Sequence, residues 1–250
     1  MIRAVMFDMG GTLEDIYSDE ASYKATAQAL YDILKSHDIA CPYSVDELWE
    51  KIYANHKVYK DYAAKTNREL KPEEIWADYC FKGLDVDREK IVECSEEIAH
   101  MWEVTYYHRS LRPRVKEMLD GLKYDLGLKL SVISNTASLF QVFSTLEEYG
   151  IRDYFDDVTL SSVTGYRKPH PYVFEVALRQ TQLKPEECCY VGDTISRDVV
   201  GPKKKGYAET FHIYSFLTAS RDVDSYEFKP EHKIDDIYDV YTILKTELGK

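Results

Sequence analysis

From residue 128 to the C-terminus, short apolar runs alternate with stretches whose apolar residues recur three and four apart. Residues 128–133, 157–160, 188–191 and 209–213 read as strands. Residues 139–149, 172–181, 199–205 and 237–248 read as helices. Strands separated by helices of about ten residues cannot pair as hairpins, so they form parallel βαβ units in a doubly wound sheet. A further apolar run, 4–7, enters a turn at Gly10-Gly11 and reads as a buried strand. Between about residues 17 and 107 the texture is different. Residues 25–34, 45–53 and 91–102 have helical spacing, punctuated by Pro42, Pro72 and Gly83, and strand-like alternation is scarce. The expectation is an α/β, Rossmann-like core from residues 1–16 and 112–250. A helical domain of residues 17–111 is inserted between strand 1 and the rest of the sheet, and Leu111-Arg112-Pro113 forms the return linker.

Composition narrows the class. A chain of 250 residues with 44% hydrophobic side chains has material for a sizeable core. Its net charge of −12 favours solubility and disfavours nonspecific binding to nucleic acid or an acidic membrane. Five cysteines with no CxxC pair suit reduced thiols, and no apolar run approaches a membrane span. Cytoplasmic location is the expectation.

Open parallel sheets bind ligands beyond the carboxyl ends of their strands. Asp8-Met9-Gly10-Gly11-Thr12-Leu13 follows strand 1, and Ser134-Asn135-Thr136 follows the next. Lys168-Pro169 comes later, and Gly192-Asp193 with Asp198 follows residues 188–191. Singly, each reads as well as a turn, a helix cap or a solvated lysine. Together they bring three carboxylates, hydroxyl groups, an amide and a lysine to one rim, a set suited to a hard cation and an anion in one site.

In this order the segments resemble the motifs of the haloacid dehalogenase-like superfamily, across nearly the whole chain. Phe7-Asp8-Met9-Gly10-Gly11-Thr12-Leu13 resembles its first motif, Val132-Ile133-Ser134-Asn135 its second, Lys168-Pro169 its third, and Gly192-Asp193 with Asp198 its fourth. The resemblance implies a helical cap and a covalent mechanism. Asp8 is the nucleophile that becomes an aspartyl phosphate, on a small phosphorylated metabolite. Mg²⁺ is held by Asp8, Asp193 and the backbone carbonyl of Gly10, with Asp198 in support. Ser134 and Lys168 bind the phosphoryl oxygens, and Asn135 contributes.

One position departs from the pattern. Family phosphatases carry a second aspartate where this chain has Gly10; that acid protonates the leaving group and then activates water. Such catalysis contributes about 10²–10⁴-fold. Four readings follow: a substitute acid such as Glu14, Asp15 or a cap residue; a leaving group needing little protonation; kinship to the phosphonate-cleaving branch, which uses a cap lysine; or a protein that chiefly binds a phosphorylated ligand. A metal-free dehalogenase fits less well, because that branch lacks an acid at the position of Asp193. Arg167, Arg197, Lys203-Lys204-Lys205 and His170 read as solvated or turn residues, and Cys188 and Cys189 as packing on opposite sheet faces. The cap tyrosines 17, 23, 53, 59, 62, 79, 106 and 107 read chiefly as packing, with pocket-lining as the lesser alternative.

Overall fold

A computed structural model describes residues 1–216, 218 and 227–250. Its strands in chain order are β1 (Ala4–Phe7), β2 (Glu14–Tyr17), β3 (His108–Leu111), β4 (Lys129–Ser134), β5 (Asp157–Leu160), β6 (Cys188–Gly192), β7 (Glu209–Ile213) and β8 (His232–Ile234). Six of them form one parallel sheet in the order β5-β4-β1-β6-β7-β8. The doubly wound architecture is the one expected. β1 lies at its centre, and the strand order reverses there, placing a crevice at the carboxyl ends of β1, β4 and β6.

Burial on both faces explains why these strands are continuously apolar. Val5, Phe7, Leu130, Val132, Cys189 and Val191 pack into a core under the helices Val115–Asp120 and Asp239–Glu247. Ala4, Met6, Cys188 and Tyr190 point the other way, against Val173, Phe174 and Ala177 of the helix Pro171–Thr181. Cys188 and Cys189 are thus buried thiols on opposite faces, as their adjacency in a strand requires. His170 caps the helix that follows it, accepting from the Tyr172 amide at 3.2 Å.

The helices Glu20–Ser36, Val45–Thr66, Arg88–Glu93 and Ser95–Thr105 enclose a separate core around Leu30, Ile52, Trp76 and Ile98. Trp49 stacks on Tyr53 and Trp102, and Tyr23 on Trp49 and Tyr106. The cap tyrosines are therefore largely structural: Tyr107 alone of the eight borders the central cavity described below. Glu69 and Glu96 tie this unit to the sheet. Glu69 accepts from Ser161 at 2.7 Å and pairs with Arg167, while Glu96 accepts from the amides of Leu139 and Phe140.

Two short strands escape the sequence reading. The chain's two crossings between the units pair with each other as an antiparallel ribbon, Glu14 opposite Leu111 and Tyr17 opposite His108. Four-residue strands whose partners lie more than ninety positions away leave no local signature. β8, a three-residue edge strand paired with β7, is also silent, because it is too short to carry a periodic pattern. Among the described residues, no helix is long and apolar enough to cross a membrane.

Candidate functional site

Sheet order delivers the rim residues to one place. Asp8 directly follows β1, and its amide donates to Val191 O at 2.9 Å, which keeps it in register with β6. β4 ends in Ser134, which is buried and faces the same cavity. Beyond β6 the chain turns so that Asp193 and Asp198 both point back. Oxygen atoms of Asp8, Asp193 and Asp198 lie within 4.8 Å of one another, and all three side chains are buried.

Two glycines make this density possible. A Cβ on Gly11 would stand 2.1 Å from Asp193 Oδ2, and its φ of +85° suits glycine alone. A Cβ on Gly192 would stand 2.2 Å from Asp198 Cβ. Bulk at either position would push the carboxylates apart.

Lys168 is the cation of the cluster. Its Nζ lies 2.8 Å from Asp8 Oδ1, 2.8 Å from Asp198 Oδ1 and 2.8 Å from the Tyr190 hydroxyl. The Tyr190 hydroxyl in turn donates to Ile133 O at 3.3 Å. Asn135 grips the lysine's backbone: Oδ1 accepts from Lys168 N at 2.8 Å, and Nδ2 donates to Lys168 O at 3.2 Å. Its amide is thus engaged in positioning Lys168. Asp198 Oδ2 accepts from Thr194 N at 3.1 Å, and Asp193 accepts from Thr194 Oγ1 at 3.0 Å and Thr218 Oγ1 at 2.8 Å.

The electrostatics are short of positive charge. Burial holds the Asp8 carboxyl above its ordinary range despite Lys168. Burial, and then the neighbouring Asp8, raise Asp193 likewise. Three buried carboxylates face Lys168 and, at 4.0 Å from Asp193, Arg197. An all-oxygen donor set with surplus negative charge fits a hard divalent cation. A second acidic group, Glu209, His232 and Glu247, gathers at the opposite rim of the sheet and is partly exposed.

The cluster opens into a cavity of about 630 Å³ roofed by the helical unit. Asp8, Gly10, Ser134, Asn135 and Lys168 line its floor, and Lys60, Ala63, Ala64, Asn67 and Glu103 its roof. Arg167 and Arg197, read from sequence as solvated, both border it. No local spacing marks them, because their exposure is decided by the roof that closes over them. Tyr190 is a further residue missed: an alternating strand position gives no hint that its hydroxyl meets Lys168.

Gly10 does not have positive φ, and a Cβ there would meet Ile16 Cδ1 at 2.9 Å. The space beside residue 10 is therefore filled by a methyl group from the ribbon. Neither neighbouring acid borders the cavity. Glu14 is fully buried, paired with Arg109 and accepting from Tyr149 at 2.8 Å. Asp15 is exposed and pairs with Arg112 at 2.8 Å. Glu103 does border it, 2.9 Å from Arg109.

The chain is 26% identical over 206 residues to a glyceraldehyde 3-phosphate phosphatase of Methanopyrus kandleri, covering 82% of each chain. It is 24% identical over 249 residues to the enzyme of that name from Pyrococcus furiosus, covering 99% of this chain and 95% of that one. The fold is shared with a 2-haloacid dehalogenase of Pseudomonas syringae, at a TM-score of 0.68 and 20% identity over 99% of this chain and 100% of that one. The haloacid dehalogenase-like hydrolase model matches residues 2–204, a span that takes in the carboxylate cluster, Lys168 and the whole roof. The chain belongs to the haloacid dehalogenase-like hydrolases.

Proposed function

We propose that this protein is a Mg²⁺-dependent phosphatase for a small phosphorylated metabolite, working through an aspartyl phosphate on Asp8 and turning over unactivated esters slowly. The convergence of Asp8, Asp193 and Asp198 beside the buried Lys168 carries the reading. Asp8 and Asp193, with the Gly10 carbonyl, would hold the ion, and Asp198 would support it. The ion would screen the repulsion between an anionic nucleophile and an anionic phosphate.

Asp8 attacks phosphorus, the P–O ester bond breaks, and the ester oxygen departs as an alkoxide that takes its proton from water. Ser134 and Lys168 donate to the phosphoryl oxygens, where charge develops. Asn135 acts by fixing the backbone of Lys168. Water then cleaves the acyl phosphate and regenerates Asp8. Residues 17–111 act as a cap that shields these steps from bulk water, over a core of residues 1–16 and 112–250. Gly10 offers no proton to the departing oxygen, and Ile16 fills the space beside it, which is the basis for slow turnover. The relatives' names make glyceraldehyde 3-phosphate the first ester to test. Phosphate release from a metabolite panel should require Mg²⁺; release that persists in excess chelator would overturn the reading.

Two expectations concern the ion. Asp193→Asn removes a charged oxygen donor, so calorimetric titration should show Mg²⁺ affinity weakened by about tenfold or more, within the range that perturbing a metal's ligand environment produces. Unchanged affinity would remove Asp193 from the site. Acidification should also weaken binding. The raised carboxyls of Asp8 and Asp193 keep their protons to a higher pH than free aspartate, whose pKa is about 3.9, and a protonated carboxyl must lose its proton to bind the ion. Affinity should therefore fall as the pH is lowered from neutrality, with the loss beginning above the range in which a free aspartate titrates. Constant affinity down to that range would contradict it.

A further inference from the structure

The roof of the cavity contains a cation that makes no direct hydrogen bond or ion pair among the described residues. Lys60, Ala63, Ala64 and Asn67 lie at helical spacing along and just beyond the helix Val45–Thr66, and all four border the cavity. The two alanines leave room beside the lysine. The other cavity cations are engaged: Arg109 by Glu14 and Glu103, Arg167 by Glu69, Lys168 by Asp8 and Asp198. Lys60 has no hydrogen bond or ion pair among the described residues, although it is only partly exposed. Arg197 is incompletely used as well: one nitrogen donates to Thr194, while its buried Nε has no partner. Glu103 and Glu69 offset the Lys60 charge only from a distance, and a half-buried ammonium without a direct hydrogen bond or ion pair is costly, so an anion supplied by the ligand offsets that cost.

We propose that Lys60 is a specificity residue that binds a second anionic group, a carboxylate carried by the phosphate ester. The site would thus prefer small phosphorylated hydroxy acids to neutral esters of the same size. This rests on the phosphoryl site proposed above. Lys60 lies on the roof, while Ser134, Asn135 and Lys168 lie on the floor, so one small molecule can bridge the two. Burial and the nearby Arg167 already push the Lys60 ammonium below its ordinary range, a strain that a bound carboxylate relieves. Arg167 and Arg197 add a field of the same sign around the lysine, which Glu103 and Glu69 offset in part.

The test compares two phosphonates that differ in the carboxylate, phosphonoacetate and ethylphosphonate, by calorimetry on the whole protein with saturating Mg²⁺. Phosphonoacetate should bind on the order of 10- to 100-fold more tightly, the ratio that one hydrogen bond to a charged group supports. In Lys60→Met the ratio should fall to near one. Lys60→Arg should keep most of it, because charge is retained while an arginine cannot form an imine with a carbonyl ligand. Equal binding of the two compounds by the native protein, a ratio unchanged in Lys60→Met, or equal loss in both variants would overturn the proposal. Failure of both phosphonates to bind at all would overturn the phosphoryl site itself and this inference with it.

Discussion

Asp8→Asn should lower Mg²⁺-dependent phosphate release by about 10⁴–10⁶-fold, the loss that follows removal of one member of a concerted catalytic set. An amide nitrogen or oxygen at this position cannot form the acyl phosphate, and the variant also loses a negative ligand for the ion. The fold should survive. Burial already disfavours the charged form of Asp8 in the metal-free protein, so its replacement by a neutral isostere removes a buried charge, and Lys168 keeps Asp198 as its partner. Thermal unfolding without metal should accordingly show a Tm equal to or above that of the native protein. Beryllofluoride and acyl phosphates should modify the native chain at Asp8 and leave Asp8→Asn untouched. Substantial turnover by a folded Asp8→Asn protein would remove the covalent mechanism.

The parts of this molecule legible from sequence are those in which a local pattern and a global constraint coincide. Continuous apolar runs such as 4–7 and 188–191 announce strands buried on both faces, and the rule that parallel sheets bind ligands at their carboxyl ends then selects Asp8, Ser134 and Asp193. What could not be read depends on which distant segment lies opposite. Glu14–Tyr17 becomes a strand only because His108–Leu111 returns beside it. Arg167 borders the cavity rather than bulk water because Glu69 draws it toward the roof. Lys60 is one lysine of many in the helical half, and only the placement of Val45–Thr66 at the roof of the cavity singles it out. Asn135, expected to contribute to the phosphoryl site, borders the cavity, and its amide also holds the Lys168 backbone, a contact between residues thirty-three apart that no local pattern announces.

Gly10→Asp should raise the turnover of unactivated phosphate esters by up to about 10²–10⁴-fold, the usual contribution of a positioned general acid and base. The backbone accepts the change, since Gly10 does not occupy the left-handed region and an L-residue there is unstrained. The obstacle is Ile16, whose Cδ1 would stand 2.9 Å from the new Cβ. That atom is the tip of a side chain on a two-stranded ribbon, so a rotamer change can clear it at a cost of about 1 kcal/mol. Gly10→Asp combined with Ile16→Ala should therefore gain at least as much as the single substitution. The gain should be largest for alkyl esters, whose leaving oxygen needs a proton, and small for acyl phosphates, whose leaving carboxylate does not. Mg²⁺ affinity, measured in parallel, should stay near the native value if, as proposed, residue 10 serves the ion through its backbone carbonyl. A native protein that already hydrolyses alkyl esters rapidly, and loses that activity in Glu103→Gln, would place the missing acid on the roof of the cavity instead. Glu103 is the acid to compare because it borders the cavity, whereas Glu14 is sealed behind Arg109 and Asp15 points to solvent beside Arg112.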